Sequence, residues 1–201
     1  LSSMIRVDGK AYRAMGTEPQ NVAAMSQTGL DVHPTRTIYR FSGAGVEVTL
    51  TFLTPALPQE LDVLARPVTY LIWTVQATDG KVHAVQLSFD AAALLAVNTS
   101  DQTVDWSRQT VGPLTALRVG TVDQPILGKK GDNLRIDWGY LYVAATTDSA
   151  AQMAVMPSSA RGSFAVSGTL PAPDDHRKPR RADDDTPLLA CAFDLGRVGK
   201  R

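Results

Sequence analysis

RPVTYLIWTVQATDGKVHAVQLSFDAAALLAVN, residues 66–98, holds two extended apolar runs, 68–77 and 82–90, on either side of Asp79-Gly80. Asp-Gly favours a two-residue hairpin turn, because both central positions of a type I′ turn need positive φ. With Asp79 and Gly80 as the turn, Thr78 pairs with Lys81 and every later pair follows. Tyr70 then faces Phe89, Ile72 faces Leu87 and Thr74 faces Val85, which reads as the core side of a central hairpin. The opposite side sets Leu71 against Ser88, Trp73 against Gln86 and Val75 against Ala84, and is only partly covered.

Other segments repeat this short-strand rhythm. Ile5, Arg6 and Val7 lead into Asp8-Gly9 and a second tight hairpin through Arg13. Strands 35–41 and 46–53 flank Ser42-Gly43-Ala44-Gly45. A four-residue loop there sets Phe41 against Val46, Tyr39 against Val48, Thr37 against Leu50 and Arg40 against Glu47. Pro55 and Pro58 stop the strand, and 59–65 suits a single helical turn. Further strands are expected around 104–107 and 114–119, at 134–145, 164–166 and 188–193; 150–156 suits strand or short helix. In 134–145, Ile136, Trp138, Tyr140 and Tyr142 share one face, and Leu141 and Val143 the other. Many short strands and almost no helical period indicate one all-β domain over residues 1–201, an antiparallel β-sandwich of about a dozen strands.

Composition narrows the partners. Twenty basic and twenty acidic residues balance to a net charge of zero, so no field recruits nucleic acid or an anionic membrane. The longest apolar runs fall short of the roughly 18–20 residues of a spanning helix. A single cysteine, Cys191, excludes an internal disulfide or a cysteine-based zinc cluster, and its setting in LLACAF reads as a buried, inert thiol. LSSMIRVDG has no charged segment followed by an apolar one, so either the chain is cytosolic or a signal lies upstream. Asn98-Thr99-Ser100 fits the glycosylation triplet, a pattern common by chance. The odd stretch opens at Pro171 and closes at Asp185, PAPDDHRKPRRADDD; it reads as a long solvated loop, with contact to a neighbouring domain as the sharper alternative.

No complete set of catalytic groups is legible. The chain lacks a nucleophile elbow, a phosphate loop and a zinc-helix motif. His33, His83 and His176 are scattered, and His83 reads as a solvated strand-end residue. Asp137-Trp138 with Tyr140 and Tyr142 forms an aromatic row that suits sheet core, a domain interface or stacking on sugar rings. Arg36 and Arg66 suit scaffold salt bridges or bidentate pins. No catalytic, metal or cofactor-binding residue is assigned, and no cofactor is expected. Trp73, Arg66, Asp137, Trp138, Tyr140 and Tyr142 are the candidate domain-interface residues.

MIRVDGKAYRAMG (4–16), PTRTIYRF (34–41), VTLTFLTPALP (48–58), DVLARPVTYLIW (62–73), GDNLRIDWGYLYVAA (131–145) and FDLG (193–196) resemble the N-terminal β-sandwich region of the secreted glutaminase A type family. The resemblance spans nearly the whole chain. It implies a secreted or periplasmic multidomain protein in which such a sandwich precedes a helical α/α domain, hydrolysing L-glutamine to L-glutamate and ammonia. The chain departs from that pattern at both ends, lacking the short region upstream and both the closing strand and the helical domain downstream. The expectation is therefore a non-catalytic piece of a longer protein with an open sheet edge, whose partner is the helical domain and whose contact with a small-molecule substrate runs only through the parent enzyme. The alternative is a carbohydrate-binding or other interaction module. Glycan binding requires exposed aromatics on the Trp138–Tyr142 face; the scaffold reading requires them buried.

Overall fold

In the computed structural model, which describes residues 1–200 except 133, 134 and 137, thirteen strands form three antiparallel sheets. The first tight hairpin forms as expected. β1 (Ser2–Val7) and β2 (Lys10–Met15) pair from Val7–Lys10 outward, and both turn residues have positive φ, 50° at Asp8 and 82° at Gly9. The order of this five-stranded sheet is β11-β13-β7-β1-β2, with β7 (His83–Ala92) at its centre, between β1 and β13 (Pro187–Val198). β11 (Gln152–Pro157) is a strand, resolving the ambiguity at 150–156.

The opposite layer holds the other two sheets. β3 (Ser26–His33), β4 (Arg36–Gly43), β5 (Val46–Leu53) and β6 (Tyr70–Ala77) form one meander. β10 (Leu141–Thr146), β9 (Leu114–Thr121), β8 (Thr103–Val111) and the two-residue β12 (Arg180–Arg181) form the other. Ile5, Val7, Val85 and Leu87 pack against Phe41, Val46, Val48 and Leu50 across one half of the sandwich. Val155 and Leu189 pack against Val104, Trp106, Leu117 and Val119 across the other. At the junction, Phe89, Ala91 and Cys191 meet Leu71 and Trp73 of β6 and Leu141 and Val143 of β10.

The central hairpin is overturned. β6 pairs with β5, β7 pairs with β1 and β13, and residues 78–82 carry the chain between layers. The core side of β6 is Leu71, Trp73 and Val75. Tyr70 is 52% and Ile72 46% exposed, although Leu87 and Phe89 are buried. Both parities of β6 are apolar, so alternation could not choose its inner face. Nor does Asp79-Gly80 make the expected turn: only Gly80 has positive φ, and the Asp79 carboxylate accepts from the Lys81 backbone N–H at 2.9 Å.

The β4–β5 hairpin forms two residues out of the expected register. Phe41 faces Val48, Tyr39 faces Leu50 and Arg40 faces Thr49, because Ala44-Gly45 alone makes the turn. A slip of two keeps each side chain on its face. The single helical turn after Pro58 is α1 (Leu61–Leu64). The strand expected at 164–166 is instead helix α2 (Gly162–Ser167), whose Phe164 is buried with Met4 and Ala192 on the outer face of the five-stranded sheet. Bidentate bonds of 3.0 and 2.8 Å from Arg161 to the buried Asp90 fix the entry of this helix.

The charged stretch 171–185 is a largely exposed strap pinned to the sheets at Asp174, Asp175 and Arg180. Asp174 accepts two bonds from Arg108 of β8 and one from the backbone N–H of Val155, while the Asp175 backbone N–H donates to the Val155 carbonyl. Those last two bonds pair the edge strand β11. The side chains of Arg180 and Asp175 are 8% and 5% exposed and 2.8 Å apart, and the Arg180 guanidinium lies 4.9 Å over the Trp106 ring. Burial alone would raise the Asp175 carboxyl, but bonds from Arg177 and Arg180 outweigh it and hold the group far below the carboxylate range.

Candidate functional site: the outer face of β8–β9–β10

Register builds this face. β8 and β9 are joined by the two-residue turn Gly112-Pro113, and Leu117, Val119, Leu141 and Val143 point into the core. The alternate residues point out: Asp105 lies opposite Gly120, and Ser107 opposite Arg118, which in turn lies opposite Tyr142. Of the strand expected over 134–145, residues 134 and 137 lie outside the described residues, and the observed strand is Leu141–Thr146. Gly139 has φ 102°, and its N–H donates 2.6 Å to Gln124 Oε1 instead of joining a ladder. This bend swings Tyr140 across Gly120. A Cβ at Gly120 would sit 2.5 Å from Tyr140 Cδ1 and 2.7 Å from the Gly139 carbonyl, so the ring needs glycine beneath it.

Arg118 stacks on the same ring, with its guanidinium carbon 4.5 Å from the centroid. Tyr142 meets Tyr140 edge-on at 6.4 Å. Asp105, Arg118, Gly120, Thr121, Val122, Tyr140 and Pro179 enclose a recess of about 230 Å³. Asp105 is already paired with Lys178 at 3.2 Å.

The sequence-predicted residues divide. Tyr140 and Tyr142 stand on this face, 43% and 49% exposed, while Trp138, 45% exposed, precedes the bend at Gly139. Trp73 belongs to the core junction, where its ring meets Phe89 edge-on at 5.8 Å and its buried Nε1 lacks a hydrogen-bond partner. Arg66 is exposed after α1, apart from the other candidates, and Asp137 lies outside the described residues. Arg118, Gly120, Ser107 and Asp105 escaped sequence reasoning, because the β8–β9 register brings them beside the tyrosines.

Two further features differ from expectation or extend it. His83 is 6% exposed and clamped between Asp8 and Asp79, not solvated. Cys191 is buried, and desolvation pushes its thiol up to about 12, which removes it as a nucleophile. Among the described residues no cluster of three or more metal-ligating side chains occurs, and no helix is long and apolar enough to cross a membrane.

A family model described as a domain of unknown function, DUF5127, matches residues 35–201. The chain belongs to the DUF5127 family. This DUF5127 chain is also similar to Glutaminase A of Aspergillus oryzae (strain ATCC 42149 / RIB 40), at 27% identity over 199 residues. The match covers 98% of the chain and 28% of that protein, so the DUF5127 chain spans little more than a quarter of its curated relative's length.

Proposed function

We propose that the chain is the non-catalytic β-sandwich domain of a secreted or periplasmic glutaminase-like hydrolase, which converts L-glutamine to L-glutamate and ammonia. The observation that carries this reading is the match of almost the whole chain to about a quarter of Glutaminase A. Carboxamide hydrolysis needs an activated nucleophile, a proton shuttle and oxyanion donors held together. Among the described residues, the outer face of β8–β10 brings together an arginine, tyrosines and a serine, and its carboxylate Asp105 is taken by Lys178, so in this reading catalysis falls to a further, helical domain.

In this reading Trp138, Tyr140 and Tyr142, with Asp137, Arg66 and the β6 edge near Trp73, are the contact surface for that domain. Exposed Trp and Tyr around an arginine have the composition of an interface centre. The second reading, a carbohydrate-binding or other interaction module, draws on the same exposure, since the three aromatics are open to solvent in the chain by itself.

The deciding experiment is a glutaminase assay on the 201-residue chain and on a longer polypeptide that includes the helical domain. Activity confined to the longer polypeptide is expected, together with loss of solvent accessibility at Trp138 and Tyr142. Turnover of L-glutamine by the 201-residue chain, abolished by a point substitution within it, would overturn the reading.

A further inference from the structure

Of the partly buried arginines among the described residues, Arg6, Arg13, Arg40, Arg161 and Arg180 all donate to protein acceptors. Arg118 does not. Its Nε is sealed from solvent and, among the described residues, has no hydrogen-bond partner; the guanidinium stacks on the Tyr140 ring. Directly opposite in the β8–β9 register, Ser107 Oγ is likewise buried and unpartnered. Two orphaned polar atoms at one register position are unusual, because desolvating a polar group without a partner costs about 1–3 kcal/mol, and more for a charged one. Arg118 lines the recess, and Ser107 is its buried register neighbour on β8. The charge there is unbalanced in one direction: Lys178 neutralises Asp105, and nothing among the described residues neutralises Arg118.

We propose that this recess is a binding site for a small organic carboxylate of about the size of an amino acid or a sugar acid. The Arg118 guanidinium takes the carboxylate, and Thr121, Val122 and Tyr140 line the space for the carbon frame. A planar guanidinium matches a carboxylate in two parallel bonds. The Tyr140 ring, held flat by Gly120, fixes the plane of that fork before any ligand arrives, which lowers the ordering cost of binding. The volume of about 230 Å³ admits a molecule of this size.

The test is titration of the 201-residue chain with L-glutamate, L-glutamine and D-glucuronate, with D-glucose as the uncharged control, followed by calorimetry and by the NMR signal of the Arg118 side-chain Nε–H. Saturable binding of at least one carboxylate with a Kd of about 1 mM or tighter is expected, with a shift of the Nε–H resonance. Arg118→Met should weaken it by about tenfold or more. The amino acids and the sugar acid separate the two sources of the carboxylate. Gly120→Ala, which displaces the Tyr140 ring, should weaken binding with Arg118 intact. Should Arg118→Met fail to fold, Arg118→Lys replaces it, retaining the charge but losing the fork and the affinity. No saturation by any carboxylate up to about 20 mM, equal binding of D-glucose, or undiminished binding by the folded Arg118 variant would overturn the proposal.

Discussion

His83 Nδ1 lies 2.7 Å from Asp8 Oδ2 and ties the start of β7 to the β1–β2 turn. The other ring nitrogen lies 3.1 Å from Asp79 Oδ1. An imidazole facing carboxylates on both sides is best served by its protonated form, which donates twice. The bond with Asp8, then that with Asp79, raises the His83 pKa. Asp8 is lowered chiefly by its bond with His83, and Asp79 chiefly by the Lys81 N–H and then His83. The histidine therefore contributes stability that is full below its ordinary pKa of about 6.5 and is lost as pH rises through the raised folded value. The two aspartates contribute above their ordinary range and lose it as pH falls through their lowered values. The melting temperature should decline as pH rises above about 6.5, and His83→Gln should remove that decline. An NMR titration placing His83 at or below its ordinary pKa would refute the clamp.

Leu87 and Ile72 face each other in the simplest pairing of the sequence, yet one is 2% and the other 46% exposed. Leu87→Ala should cost about 2–5 kcal/mol through lost burial and a cavity. Ile72→Ala should stay within about 1 kcal/mol. Urea denaturation of the two variants measures both; equal losses would contradict the observed strand order.

Gly45 and Gly80 have nearly the same backbone, φ 78° and 80°, in different surroundings. A Cβ at Gly45 would sit 2.8 Å from Asp79 Oδ2 and 2.9 Å from His83 Nε2, while one at Gly80 meets nothing within 4 Å. Alanine at either position carries left-handed strain of about 1–3 kcal/mol. Gly45→Ala should exceed Gly80→Ala in thermal destabilisation and should lower the His83 pKa; equivalent melting curves would count against the close approach.

Asp90 is 4% exposed, and burial raises its pKa despite the Arg161 fork. Removing the arginine leaves the buried carboxylate under helix α2 without its paired guanidinium, so Arg161→Met should cost about 3–5 kcal/mol near neutral pH. A raised carboxyl pKa means stability that is full below the ordinary carboxyl range and is lost as pH rises through the folded value. The variant should therefore recover part of its loss on acidification. Chemical denaturation at two pH values checks the sign.

Local chemistry made some of this architecture readable. Asp8-Gly9 between alternating strands fixed the β1–β2 hairpin, and alternation put Leu141 and Val143 on one side of β10 and Tyr140 and Tyr142 on the other without saying which side faces out. The β4–β5 pairing slipped because Ser42-Gly43-Ala44-Gly45 offers several loops and a two-residue shift preserves every face. β6 misled because apolar residues occupy both of its parities, and Asp79 spends its carboxylate on Lys81 and His83 instead of shaping a hairpin. The outer face of β8–β10 was half visible, as a row of aromatics. Its arginine and serine come from other strands, and His83 finds Asp8 from 75 residues away. Such meetings depend on register and layer order, which no local pattern encodes.

The strap at 171–185 has a practical corollary for protein engineering. Its hydrophilic composition would recommend it for a tag, a protease site or a fused module. Cutting or lengthening it would unpair Val155 from Asp174 and Asp175 and release Arg180 from Trp106. An unprotected strand margin is a template for self-association, so grafts there should yield aggregates. The exposed reversal at Gly112-Pro113, whose flanking Val111 is 56% exposed, is the permissive place to open the chain.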